Sequence, residues 1–137
     1  MDNISQNEKL STIVKALDSK RAEDIRIIEI GDLTIVADYF VIANGTSTTH
    51  TKTLIANGTS STQTKALAEE VEFKMSQLGI EPNRTEGYQG ATWVVLDYGD
   101  IIVHVFYKET RDHYNLERLW SDGKDIDVKQ FLPDEPQ

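Results

Sequence analysis

Thr92-Trp93-Val94-Val95-Leu96-Asp97, then Tyr98-Gly99-Asp100, then Ile101-Ile102-Val103-His104-Val105-Phe106-Tyr107 is the stretch whose reading decides the fold. Two β-branched, apolar runs flank a short Gly- and Asp-containing turn, which is the signature of a β-hairpin. Both arms are apolar on both faces, so the pair is expected centrally in a sheet covered on both sides.

Upstream, Leu10, Ile13, Val14 and Leu17 stand at offsets of one helical stripe, which predicts a helix from about Ser5 to Ser19. Ile25, Ile27, Ile28 and Ile30 form a short strand that ends at Gly31-Asp32. A second apolar run, Thr34 to Ala43, follows, so the two predict a hairpin around Gly31-Asp32 with Asp38 marking a break or edge. Leu67, Val71, Met75 and Leu78 recur at helical spacing and Gly79 supplies the stop. Pro82 to Glu86 reads as a short strand. Leu116, Leu119 and Trp120 mark one face of a last helix over about Thr110 to Ser121. Residues 1–122 are read as a single domain, and the acidic segment 123–137 as a loose or mobile tail.

A tandem repeat interrupts this order. Val41 to Thr53 is followed at once by a near copy, Leu54 to Ala66, with nine of 13 positions identical. One repetition is too few for a solenoid, so the pair reads as a duplication inside a strand–turn–helix unit. Copy one continues the strand from Asp38. Copy two offers Ser60-Ser61-Thr62-Gln63, a capping-box pattern that starts a helix. Residues 46–58 are then expected as an excursion between them.

The chain has 137 residues, 39% of them apolar, which suffices for one domain with its own core. It contains no cysteine, which excludes disulfides, thiolate metal sites and a cysteine nucleophile. No run of about 18 apolar residues is present to span a membrane. The N-terminus lacks the basic and apolar regions of a signal peptide, so a cytoplasmic protein is expected. Fourteen Lys/Arg against 23 Asp/Glu leave a net charge of −9. No segment is a basic arm, so direct nucleic-acid binding is not expected, whereas a basic protein partner suits the field.

Catalytic patterns are weak. Asp97 and Asp100 stand across a tight turn rather than at i and i+2 on one strand face, so they do not form a metal-binding pair. Asn-Gly-Thr-Ser before a helix could cradle phosphate, but Ser and Thr are the ordinary capping residues there. His104 alternates with Ile102 and Phe106 and reads as a core histidine. No histidine spacing gathers metal ligands and no Gly-x-Ser-x-Gly elbow or phosphate-binding loop is present.

Ala37-Asp38-Tyr39-Phe40-Val41-Ile42 with its following Gly-Thr-Ser resembles the ribosomal silencing factor family, also called Iojap-like or RsfS. Glu86-Gly87-Tyr88, the hairpin from Trp93 to Phe106, and Glu109-Thr110-Arg111-Asp112-His113-Tyr114-Asn115-Leu116-Glu117-Arg118-Leu119-Trp120 carry the same resemblance. It runs from about Leu10 to Asp122, and the duplication is the departure from it. The resemblance implies an α/β fold, a nucleotidyltransferase-like mixed sheet of about five strands flanked by about three helices, without catalytic carboxylates. It implies no enzyme activity, no cofactor and no metal. It further implies a translational repressor that binds the large ribosomal subunit through ribosomal protein fourteen and blocks joining of the small subunit under nutrient limitation.

Carried over residue by residue, the resemblance implies a docking face of Trp93, Asp97, Tyr98 and Asp100 around the hairpin and Glu109, Arg111, Tyr114 and Glu117 on the last helix. Trp93 and Tyr114 supply apolar contact, the carboxylates meet Lys and Arg, and Arg111 alternatively braces neighbouring carboxylates. Tyr98, at a turn tip, is expected to be exposed. Two other classes stay open on the residues alone. A nucleotidyltransferase-like enzyme would show saturable nucleotide binding, and a dimeric scaffold (a homodimer without ribosome binding) would show its mass in dilute solution.

Overall fold

The computed structural model of the chain describes residues 4–45 and 59–132. Helix α1, Gln6–Ser19, begins where the Ser5 hydroxyl accepts from the Glu8 amide at 3.1 Å, which satisfies one of the free donors of a first helical turn. Its stripe of Leu10, Ile13, Val14 and Leu17 is buried, as the spacing predicts. Strand β1, Glu23–Glu29, follows, then β2, Tyr39–Asn44. Helix α2, Thr59–Gln77, buries Leu67, Val71 and Met75 and stops before Gly79, whose φ is +82°. Strands β3 (Arg84–Glu86), β4 (Trp93–Asp97) and β5 (Ile101–Phe106) precede two short helices, α3 (Lys108–Tyr114) and α4 (Leu116–Leu119). Strand β6, Lys124–Ile126, and a 3-10 turn, Val128–Phe131, complete the described chain.

The six strands form one mixed sheet in the order β3-β4-β5-β2-β1-β6. Only β2 and β5 pair in parallel, in register Tyr39↔Ile101 to Asn44↔Phe106, and the other neighbours are antiparallel. This parallel pair is the buried centre, with all six residues of β5 and five of six in β2 buried, as expected for strands covered on both faces. On one face Val41, Ala43, Val94, Leu96, Val103 and Val105 pack with α1, α2 and Phe131. On the other, Ile28, Phe40, Ile42, Ile102 and Phe106 pack with Leu116, Trp93 and Trp120.

Several expectations are corrected. The second strand starts at Tyr39, not Thr34. Leu33 and Thr34 N–H both donate to the Ile30 carbonyl, which bends the chain. Pairing resumes only where Asp38 and Tyr39 reach the Asp100 carbonyl and β5 begins. Without a neighbouring strand, the apolar run gains no sheet, and Ile35 and Val36 are exposed. The last helix is two, because Asn115 is left-handed at φ 48°, ψ 58° and its N–H closes on the Arg111 carbonyl. The break turns Leu119 outward, 73% exposed, where one continuous helical stripe had it inward.

The mixed sheet is the expected one, with six strands among the described residues, because residues 124–126 of the expected tail pair with β1 and Phe131 enters the core. Helix α2 starts at Thr59, so Ser60 lies inside the first turn rather than at the cap. The expected excursion over 46–58 lies outside the described residues. On either side of it, a Cβ on Gly45 would fall 2.9 Å from Gln63 Oε1, so the end of β2 touches the opening turns of α2.

Candidate docking site

Alternation along β4 and β5 sets Trp93, Val95 and Asp97 beside Ile102, His104 and Phe106 on the sheet face away from α1 and α2. Trp93 lies opposite Phe106, with ring centroids 4.9 Å apart, and Tyr114 from α3 leans on it at another 4.9 Å. Trp120 meets Phe40 edge-on at 5.4 Å, which closes the β1–β2 half of this face. The β4 half stays partly open: Trp93 and Val95 are half-buried, and Tyr114 is 57% exposed. The result is an aromatic shelf with one side available to a partner.

The loop before β4 fixes where Trp93 stands. Gly87 has φ +92°, and a Cβ there would fall 2.0 Å from the Trp93 carbonyl oxygen. Only glycine permits that approach, which gives the Glu86-Gly87-Tyr88 motif its physical reason. Tyr88 is tied down separately, its hydroxyl donating to Glu72 on α2 at 2.5 Å.

His104 sits between Val95 and Ile42 in the strand register. Trp93 Nε1–H donates to its Nδ1 at 3.1 Å, so the ring proton of the neutral imidazole is on Nε2. Burial among apolar neighbours pushes its pKa down to about 4.

The structure divides the eight sequence-derived site residues. Trp93 and Tyr114 come together in the shelf. Asp97 shares its face, accepts from Gly99 N–H at 2.8 Å and lies 3.8 Å from Arg84. Glu109 is exposed on α3. Tyr98 is not an exposed tip: it turns into the helix-covered core and is 7% exposed, and its hydroxyl has no hydrogen-bond partner among the described residues. Burial raises its pKa, so the phenol stays protonated. Asp100 likewise belongs to the helical side, where Lys9 of α1 reaches it at 3.1 Å. Arg111 is a buried brace, paired to Glu117 at 2.6 Å, so neither group is a free contact.

Asp97 and Asp100 therefore point to different partners and do not converge. Among the described residues, no three His, Asp or Glu side chains gather as metal ligands. Sequence reasoning missed the half-buried Val95 on the shelf's face and the exposure of Leu119. The alternation of β4 carried a signal for Val95, whereas nothing local marked the break that exposes Leu119.

Comparison with known proteins finds one family throughout. A sequence model described as "Ribosomal silencing factor during starvation" matches residues 3–54 and 51–137. The two matches meet at the junction between the tandem copies, so the family pattern runs through copy one and restarts beside copy two. The chain is similar to "Ribosomal silencing factor RsfS" of Bacillus subtilis (strain 168), 38% identical over 125 residues, covering 91% of this chain and 95% of that protein. It is also similar to "Mitochondrial assembly of ribosomal large subunit protein 1" of Mus musculus, 28% identical over 120 residues, covering 88% of this chain and 48% of that protein. A crystal structure of a protein from Chromobacterium violaceum superposes with a TM-score of 0.74 at 28% identity, covering 90% and 92% of the two chains.

Proposed function

From the premise that the chain belongs to the ribosomal silencing factor family, we propose that it represses translation as a cytoplasmic, non-catalytic lid on the large ribosomal subunit. In this reading it docks on ribosomal protein fourteen and sterically prevents the small subunit from joining, which damps translation under nutrient limitation. The observation that carries it is the half-open shelf of Trp93 and Tyr114, with the Asp97 carboxylate on the same sheet face. Aromatic side chains that are packed on one side and open on the other are typical binding anchors. A chain of net charge −9 favours encounter with a basic ribosomal protein. The mouse relative's name, with its reference to the large subunit, points the same way.

Co-sedimentation with separated subunits, together with light scattering during subunit reassociation, tests this. The chain is expected to pellet with the large subunit alone and to suppress reassociation. Trp93→Ala or Tyr114→Ala is expected to weaken binding by about 30-fold or more, the loss of about 2 kcal/mol that defines a hot spot. Unimpeded reassociation at large excess of protein contradicts the proposal.

The exposed Tyr114 and Leu119 favour one second reading, a homodimer that buries the same shelf. Mass measurement in dilute solution separates the two: a dimer that large subunits do not dissociate supports the scaffold.

A further inference from the structure

We propose that His104 is a positioning residue that holds the Trp93 indole in its docking orientation before a partner arrives. The inference rests on the docking reading above for its consequence, but on geometry for its content.

His104 is a polar residue in an apolar row, with Ile42 and Val95 beside it and the Phe40 ring edge-on at 4.6 Å. Its Nε2 is buried and has no hydrogen-bond partner among the described residues. Such an orphan donor costs stability, so packing alone would favour an apolar residue here. The compensating feature is at the other nitrogen, where Nδ1 receives the Trp93 indole N–H at 3.1 Å.

Trp93 needs that bond. Its ring lies against the tilted rings of Phe106 and Tyr114, but the residue remains half-buried, and such ring contacts permit an indole to turn over. A directional acceptor selects one of the two faces. The surrounding apolar side chains keep the imidazole neutral, which preserves the Nδ1 lone pair; a doubly protonated ring would have two donors and no acceptor. Ordering the anchor in advance removes an entropic cost from binding, so its loss is expected to weaken association by about three- to tenfold.

The test compares His104→Phe, which fills the volume without an acceptor, with His104→Asn, whose amide oxygen can stand where Nδ1 stands. The indole N–H resonance of Trp93 is read by NMR, with Trp120→Phe used to assign it. The expected result is at least tenfold faster solvent exchange of that proton in His104→Phe, weaker co-sedimentation with large subunits, and recovery of both in His104→Asn. In a Trp93→Phe background, which lacks the donor, His104→Phe is expected to cause no further loss of binding. An unchanged Trp93 exchange rate in His104→Phe overturns the proposal, as does equal loss of binding in the Phe and Asn variants. If the wild-type chain fails to bind large subunits, the docking reading falls while the exchange measurement still decides the role of His104.

Discussion

Arg111 grips Glu117 through two nitrogens, Nε at 2.8 Å and Nη2 at 2.6 Å, while its third nitrogen reaches the Asp24 carbonyl at 2.7 Å and Asn44 Oδ1 at 2.8 Å. One guanidinium thereby joins the irregular start of β1, the end of β2 and both short helices that carry Tyr114 and Leu119. The planar fork matters, because a lysine ammonium cannot face three directions in one plane.

Removing this group takes the guanidinium from the Glu117 carboxylate and from Asn44 Oδ1, in a site where Arg111 itself is only 3% exposed. Arg111→Met is expected to cost about 3–5 kcal/mol of unfolding free energy. Urea titration checks this, and a loss below about 1 kcal/mol contradicts the brace. Arg111→Lys is expected to recover only part of the loss.

Tyr98 separates a packing role from a contact role. Its ring fills the core between the helices and the sheet, but its hydroxyl has no partner among the described residues. Tyr98→Phe is expected to be neutral or to add about 1 kcal/mol of stability, because an unsatisfied buried group is removed. Tyr98→Ala is expected to lose about 3–5 kcal/mol, as for other large aromatic truncations. Thermal melts of the two variants check the pair, and any binding defect of Tyr98→Ala should follow its unfolding.

His104 makes stability depend on acid. Its folded pKa of about 4 lies below the ordinary 6.5, so the unfolded chain takes up its proton first as pH falls. The contribution is therefore intact above about pH 6.5 and lost progressively down to about pH 4, by about 3 kcal/mol in total. Carboxylates titrate in the lower part of that window too, so the measurement is the difference in urea midpoint between wild type and His104→Asn across pH 4–7. The difference is expected to narrow as pH falls, and a constant difference contradicts the assignment.

The duplication yields a deletion experiment. Removing residues 46–58 joins Gly45 to Thr59 and recreates the Asn-Gly-Thr junction that each copy already contains. Because Gly45 already lies against Gln63, the shortened chain is expected to fold with unchanged large-subunit binding. Its stability should rise by up to about 2 kcal/mol from the lost loop-closure entropy. Unfolding of the deletion variant would show that the strand from copy one and the helix from copy two cannot be joined without residues 46–58.

Several local signals were legible. The Leu10–Leu17 stripe, the Gly79 stop and the Trp93–Phe106 hairpin depend on neighbours within a few residues, and the structure has each of them. Trp93 and Tyr114 stand in separate family-like motifs, and only the packing of α3 against β4 brings their rings 4.9 Å apart. The inward turn of Tyr98, the opposite direction taken by Asp100 and the burial of Arg111 were not legible. Each depends on which sheet face the helices cover, or on partners such as Asp24, which lies 87 residues away.

The sequence by itself determined the periodicities, the turn chemistry, the acidic charge and the repeated unit, because backbone propensity and hydrophobic spacing act within one element. Only the tertiary structure decided that β2 pairs in parallel with β5, that Thr34–Ala37 stays outside the sheet and that the last helix breaks at Asn115. Those outcomes turn on which hydrogen-bonding edge or buried charge comes within reach once the chain has collapsed, and that proximity is a property of the packed molecule rather than of any stretch of its residues.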